Sequence, residues 1–174
     1  MKSMFRPLTA KETECRIGRV TKNGVMLLLY KNARADMTIL DETVGPENWQ
    51  REHYECKGNL YCRVGIRMQR QDGSVEWVWK SDCGTESYTD KEKGESSDSF
   101  KRACVNWGIG RELYTAPCIF INVPDCNITS DGKCYDRFYV REMTVIDGKI
   151  SHVVIYNAEK NIRRNVYEYP KAKV

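Results

Sequence analysis

The sequence predicts an α+β fold in which an antiparallel three-stranded meander precedes one long helix, with a further β-hairpin near the C-terminal end. Three observations predict it. Between residues 49 and 82 apolar and polar residues alternate, and two turn signals, Lys57-Gly58-Asn59 and Asp72-Gly73, divide the stretch into strand-length pieces. Between residues 91 and 107 the period changes, and Phe100, Ala103, Cys104 and Trp107 recur at helical spacing. Farther on, Asp147-Gly148 joins two more strand-like segments.

The elements follow in order. Val25-Met26-Leu27-Leu28-Leu29-Tyr30 is a continuous apolar run of strand length that delivers Lys31, Asn32, Ala33 and Arg34 to a loop. Over residues 36–44, Met37, Leu40 and Val44 are spaced as on a short amphipathic helix, which Gly45-Pro46 stops. In the middle strand of the meander, Leu60, Cys62, Val64, Ile66 and Met68 share one face, and Tyr61, Arg63, Gly65, Arg67 and Gln69 share the other. The first is a core face. The second suits a nucleic-acid strand and suits a half-solvated sheet surface equally well.

On the long helix, Gly94, Ser96 and Ser97 continue the apolar side with small residues, so the helix can press closely on the sheet. Lys101 and Arg102 lie off that stripe, with Asp98 within reach of either; on pattern alone this is a solvated face with an ion pair. Gly108-Ile109-Gly110 caps the helix. Residues 116–123 form an apolar strand, 124–133 are rich in turn formers, and 138–146 with 150–156 make the last hairpin. Residues 161–174 are basic with little periodicity, a loose arm. The expected organisation is therefore one domain over residues 1–160 and an arm over 161–174.

Hydrophobic residues make up 41% and charged residues 30% of the 174-residue chain, the balance of a soluble globular protein. No stretch approaches a membrane span, and the first residues lack the apolar run of a secretory signal, which points to the cytoplasm. In that compartment the eight cysteines read as reduced thiols, and their irregular spacing without Cys-x-x-Cys argues against zinc, so no metal is expected. Cys62, in phase with Val64 and Ile66, reads as a small core residue. The net charge of +4, from 28 basic and 24 acidic residues, permits a polyanionic partner without requiring one. Arg63, Lys80, Lys91, Lys93, Lys101, Arg102, Arg111, Arg163 and Arg164 could form a basic stripe.

Signatures of catalysis are absent. No Gly-x-x-x-x-Gly-Lys-Ser/Thr occurs, and Gly108-Ile109-Gly110 lacks the third glycine of a dinucleotide fingerprint and follows a helix rather than a strand. His53 and His152 have no neighbouring nucleophile motif. Asp82, Glu86, Asp90 and Glu92 form an acidic run that a metal-dependent nuclease could use, but Lys91 and Lys93 interrupt it.

The runs Asp82-Cys83-Gly84, then Glu92-Lys93-Gly94-Glu95-Ser96-Ser97-Asp98-Ser99-Phe100-Lys101-Arg102-Ala103, then Trp107-Gly108-Ile109-Gly110 resemble the core motif of the Rad-fifty-two single-strand annealing proteins. Leu29-Tyr30-Lys31-Asn32-Ala33-Arg34, leading to Val44-Gly45-Pro46-Glu47-Asn48-Trp49, resembles that family's first strand, loop and helix. The matches lie in the family's order around the same meander and cover roughly residues 25–114. The resemblance implies a β-β-β-α core, a three-to-five-stranded sheet packed on one long helix with the C-terminal hairpin as an addition. It implies subunits that form rings or helical filaments, and single-stranded DNA held in a basic groove between sheet and helix. It also implies annealing without nucleotide, metal or other cofactor, and hence no enzyme activity. Carried over residue by residue, Arg34 matches the family's basic loop residue and Lys101 and Arg102 its Lys-Arg pair, all three contacting the DNA backbone. Arg63, Arg67 and Lys80 are further candidates from the strand pattern.

The segment between Gly84 and Lys101 is shorter than in eukaryotic members, and the long C-terminal region that contacts a recombinase is missing. Both point to the compact, Sak-type branch carried by bacteriophages, and so to a host bacterial cytoplasm. The expected function is ATP-independent annealing of complementary strands in recombination and double-strand break repair. A single-strand DNA-binding protein is a candidate further partner. The competing readings are a metal-dependent nuclease and a general single-strand or double-stranded RNA-binding module.

Overall fold

The computed structural model describes residues 4–85 and 91–170. In chain order its main elements are β1 (Thr13–Thr21), β2 (Gly24–Lys31), α1 (Ala33–Val44), β3 (Trp49–Cys56), β4 (Asn59–Gln69), β5 (Val75–Cys83), α2 (Lys91–Trp107), β6 (Ile119–Asn122), β7 (Phe138–Ile146), β8 (Lys149–Asn157) and β9 (Arg164–Tyr169). The fold is α+β with antiparallel sheets and two α-helices among the described residues. The chain divides into two compact units. One comprises the residues up to Arg6 with Asn32–Gly110, and the other Pro7–Lys31 with the chain from Arg111 onward. None of the described helices is long and apolar enough to cross a membrane.

In the first unit β3, β4 and β5 form a three-stranded antiparallel sheet in sequence order, with α2 packed on β4 and β5. The alternation read from β4 holds from Cys62 to Gln69 except at Gly65, which Trp79 covers. Cys62, Val64 and Ile66 are buried beneath the helix, and Phe100, Ala103 and Cys104 of α2 are fully buried. The β4–β5 turn closes as Asp72-Gly73 predicts, with the Gly73 N–H donating to Arg70 O at 3.0 Å and the Ser74 hydroxyl to Asp72 Oδ1 at 2.6 Å. Helix α1 begins earlier than its apolar spacing indicates. Asn32 caps it, its Oδ1 accepting from the Arg34 and Ala35 N–H groups at 3.0 and 3.1 Å, so Arg34 is helical rather than in a loop.

The second unit is a six-stranded antiparallel sheet in the order β6-β2-β1-β7-β8-β9. Its core is Val25, Leu27, Ile119, Ile121, Cys126, Phe138, Val140, Ile150, Val153 and Ile155. The last hairpin, β7 with β8, forms where Asp147-Gly148 places it. It is an inner pair of this sheet, not an appendage. The loose arm expected over 161–174 contains β9, which pairs with β8 through Ile155↔Tyr167 and Val153↔Tyr169. The reason is packing: β8 buries Val153, Val154 and Ile155 in succession, and Val166 and Tyr167 of β9 pack against that core. The Tyr167 hydroxyl donates to Cys118 O at 3.1 Å, drawing the two edges of the sheet toward each other. All eight cysteines are outside any disulfide, and Cys62 is a core residue as its phase predicts.

Candidate nucleic-acid interface

The six basic residues singled out from the sequence all fall in the first unit. Their environments differ. Helix α2 carries Lys101 and Arg102 off its buried stripe. The ion pair foreseen from Asp98 goes to Lys101, Nζ to Oδ1 at 3.7 Å, while Arg102 turns to Asp82 of β5, Nε to Oδ1 at 3.4 Å. Asp98 also accepts from the N–H and hydroxyl of Thr85 at 3.2 Å each, and Asp82 accepts from the Cys83 N–H at 2.8 Å. Each carboxylate is thus fixed from two sides and in turn positions a cation.

Asp82-Cys83-Gly84 has a second physical role. A Cβ on Gly84 would lie 2.2 Å from Glu95 O and 2.9 Å from Ser99 N, so the bare α-carbon is what lets α2 close on the end of β5. Ser99, fully buried, bonds back to Ser96 O at 3.0 Å, and Glu95 Oε1 accepts the Leu60 N–H at 2.9 Å. At the other end of α2, the Trp107 indole N–H donates to Val64 O at 2.9 Å. The cap read at Gly108-Ile109-Gly110 is present, with Ile109 N–H donating to Cys104 O at 3.1 Å.

Lys80 sits opposite Val64 in the β4–β5 register and therefore on the helix side of the sheet. Its ammonium donates to Asn106 O at 2.9 Å and lies 4.5 Å from the Trp107 ring centroid. Arg34 is exposed on the first turn of α1, and among the described residues no carboxylate pairs with it. Arg63 and Arg67 project from the opposite face of the sheet. There Arg63 is flanked by Glu52 and Ser81, Gly65 by Trp79, and Arg67 by Trp77. The structure therefore groups Lys80, Lys101 and Arg102 with α2, and separates Arg63 and Arg67 from them by the thickness of the sheet.

Sequence reasoning missed Asp82 as the partner of Arg102, and missed the ring system on the helix-free face. Tyr54 and Tyr61, adjacent across β3 and β4, stack with centroids 5.5 Å apart. The signal for the rings lay in the register that the two turns dictate, whereas only the packing of α2 on β5 brings Asp82 to Arg102. His53, considered for nucleophilic chemistry, is bonded to Ser96 O at 3.1 Å, a satisfied surface histidine. Of the acidic run considered for metal binding, Glu86 and Asp90 lie outside the described residues, and Asp82 is engaged by Arg102.

The model of a family described as Rad52/22 family double-strand break repair protein matches residues 2–122, which take in the whole of the meander and of α2. No curated protein matches the chain.

Proposed function

The chain belongs to the Rad52/22 family of double-strand break repair proteins, and from that premise we propose that it binds single-stranded DNA and anneals complementary strands without ATP. The observation that carries the reading is the family match over α2, the helix that turns Lys101 and Arg102 away from its buried stripe. Two complementary strands repel through their phosphates. Cations that neutralise one backbone and leave its bases outward lower that barrier, and base pairing itself supplies sequence selection. The backbone contacts are Lys101 and Arg102 on α2 and Arg34 on α1, with Lys80 beside them on the helix side of the sheet. The protein acts as a homo-oligomeric ring or helical filament, performs no bond chemistry and needs no nucleotide or metal. It works in the cytoplasm, that of a bacterial host for a phage-borne member, with a single-strand DNA-binding protein as a further partner.

The test mixes the full chain with two complementary labelled oligonucleotides in chelator and without ATP. Accelerated duplex formation, with particles of uniform subunit number by electron microscopy, is the expected result. Strand cleavage that appears only with added magnesium, or binding confined to double-stranded RNA, would overturn it.

A further inference from the structure

The face of the β3–β4–β5 sheet turned away from α2 carries four aromatic rings. Tyr54 stacks on Tyr61 with planes 22° apart, and Trp77 and Trp79 have centroids 6.2 Å apart. Trp79 packs against Gly65 so closely that a Cβ at residue 65 would lie 2.8 to 2.9 Å from three atoms of the ring. The Arg63 guanidinium covers Trp79, 4.4 Å from its ring centroid, and is itself fixed by Glu52 Oε2 at 2.6 Å. Tyr54, Arg63, Trp79, Glu52 and Ser81 line a shallow open depression of about 410 Å³. Tyr54 and Trp77 remain 40% and 38% exposed.

We propose that this face binds unpaired nucleobases of a single-stranded nucleic acid, stacked on Tyr54, Trp77 and the Arg63 guanidinium, with Arg67 meeting the phosphates. Rings and guanidinium planes accept any base by its π-face, which is how single strands are held without sequence reading. The charge agrees. Among the described residues the only carboxylate on this face is Glu52, already paired with Arg63, and Arg67 faces none, so the surface carries net positive charge. Among the described residues its exposed large apolar side chains are Tyr54, Trp77 and, at the strand end, Val75, with the Cys56 thiol at the far end of β3. Rings and arginine also mark interfaces between protein chains, so it is the net positive charge that favours a nucleic-acid strand. Gly65 is the constructional element: it alone allows Trp79 to settle on the strand where Arg63 can cover it.

The inference rests on the reading that the chain binds single strands, and assigns to the face opposite the one that α2 covers a second stretch of strand held by its bases, while the stretch at Lys101 and Arg102 keeps its bases outward for pairing. The two are separable by comparing an oligothymidylate with an abasic oligomer of equal length. In the full chain, Tyr54→Ala and Trp77→Ala are expected each to weaken oligothymidylate binding by roughly 5- to 150-fold, the range for loss of one stacked base, and to leave abasic binding unchanged. Lys101→Ala with Arg102→Ala weakens both. Both rings are exposed, so circular dichroism should show wild-type folding. Photocross-linking with an iodouracil-bearing strand should label Tyr54 or Trp77. Folded Tyr54→Ala and Trp77→Ala variants with wild-type affinity for oligothymidylate, while the Lys101/Arg102 variant is impaired, would overturn this proposal alone. A changed subunit number with base-dependent binding intact would make the face a contact between copies and overturn it too. Absence of binding to any single strand would overturn both readings.

Discussion

Arg102 holds its guanidinium Nε 3.4 Å from Asp82 Oδ1, and the side chains are 45% and 28% exposed. A phosphate approaching α2 therefore meets a cation already balanced by a carboxylate, and the carboxylate competes with it. A partly exposed pair of this kind contributes about 0.2–1 kcal/mol. Asp82→Asn is accordingly expected to raise single-strand affinity up to about fivefold at low salt, an effect that shrinks as salt screens the competing charge. Fluorescence anisotropy titrations at several salt concentrations check it; weaker binding by the variant would mean that Asp82 orients Arg102 rather than restrains it.

Lys101 and Arg102 lie off the buried stripe of Phe100, Ala103 and Cys104, so their removal separates binding from folding. For single strands, the logarithm of affinity falls against the logarithm of salt by about 0.7 for each phosphate neutralised. Lys101→Ala with Arg102→Ala is expected to flatten that slope by about 1.4. Because the variant gives up two partly exposed ion pairs, each contributing about 0.2–1 kcal/mol, the thermal midpoint should fall by no more than about 8 °C. Unchanged affinity and slope in the folded double variant would remove both residues from the interface.

Which of these relationships can be read from the sequence depends on how local they are. The alternation of β4, the Asp72-Gly73 turn and the Phe100-to-Trp107 stripe are set by neighbours within one element, and each appears where the pattern places it. Arg102 shows the limit. Asp98 lies one helical turn away and is the natural candidate, yet the partner is Asp82, which only the packing of α2 on β5 brings near. Strand β1 went unrecognised because Arg16, Gly18 and Arg19 interrupt its apolar pattern and a bulge between Ile17 and Arg19 shifts its phase. Only Asn23-Gly24 announces that hairpin. The face of Lys80 was recoverable in principle: once Asp72-Gly73 fixes the β4–β5 register, Lys80 falls opposite Val64 and so beneath the helix.

Gly84 is expected to be intolerant of even one methyl group. The Cβ of an alanine would meet backbone atoms, Glu95 O at 2.2 Å and Ser99 N at 2.9 Å, and neither can rotate away as a side chain could. Either α2 lifts from β5, straining the Glu95 bond to the Leu60 N–H, or residue 84 shifts, straining its N–H bond to Leu60 O. Overpacking of this kind costs about 1–3 kcal/mol, a fall of roughly 2–12 °C in the unfolding midpoint for a chain of this size. Thermal unfolding of Gly84→Ala followed by circular dichroism measures it.

The buried cysteines make stability fall on the alkaline side. Burial pushes the Cys15 thiol up to about 12, and the Cys62 and Cys126 thiols up to about 11. In the unfolded chain the same thiols titrate near 8.5. The folded state thus favours the protonated form, so this contribution is complete below about pH 8.5 and is lost as pH rises toward 11–12. Denaturant midpoints are expected to hold between pH 7 and about 8.5 and then fall, with the fall reduced in Cys126→Ala relative to its own neutral-pH value. The same burial orders thiol reactivity. At about pH 8 the exposed Cys56 and Cys118 should react first with Ellman's reagent and the half-buried Cys15 more slowly, while the buried Cys62 and Cys126 should wait for unfolding. Rapid labelling of Cys62 in the native chain would contradict its placement beneath α2.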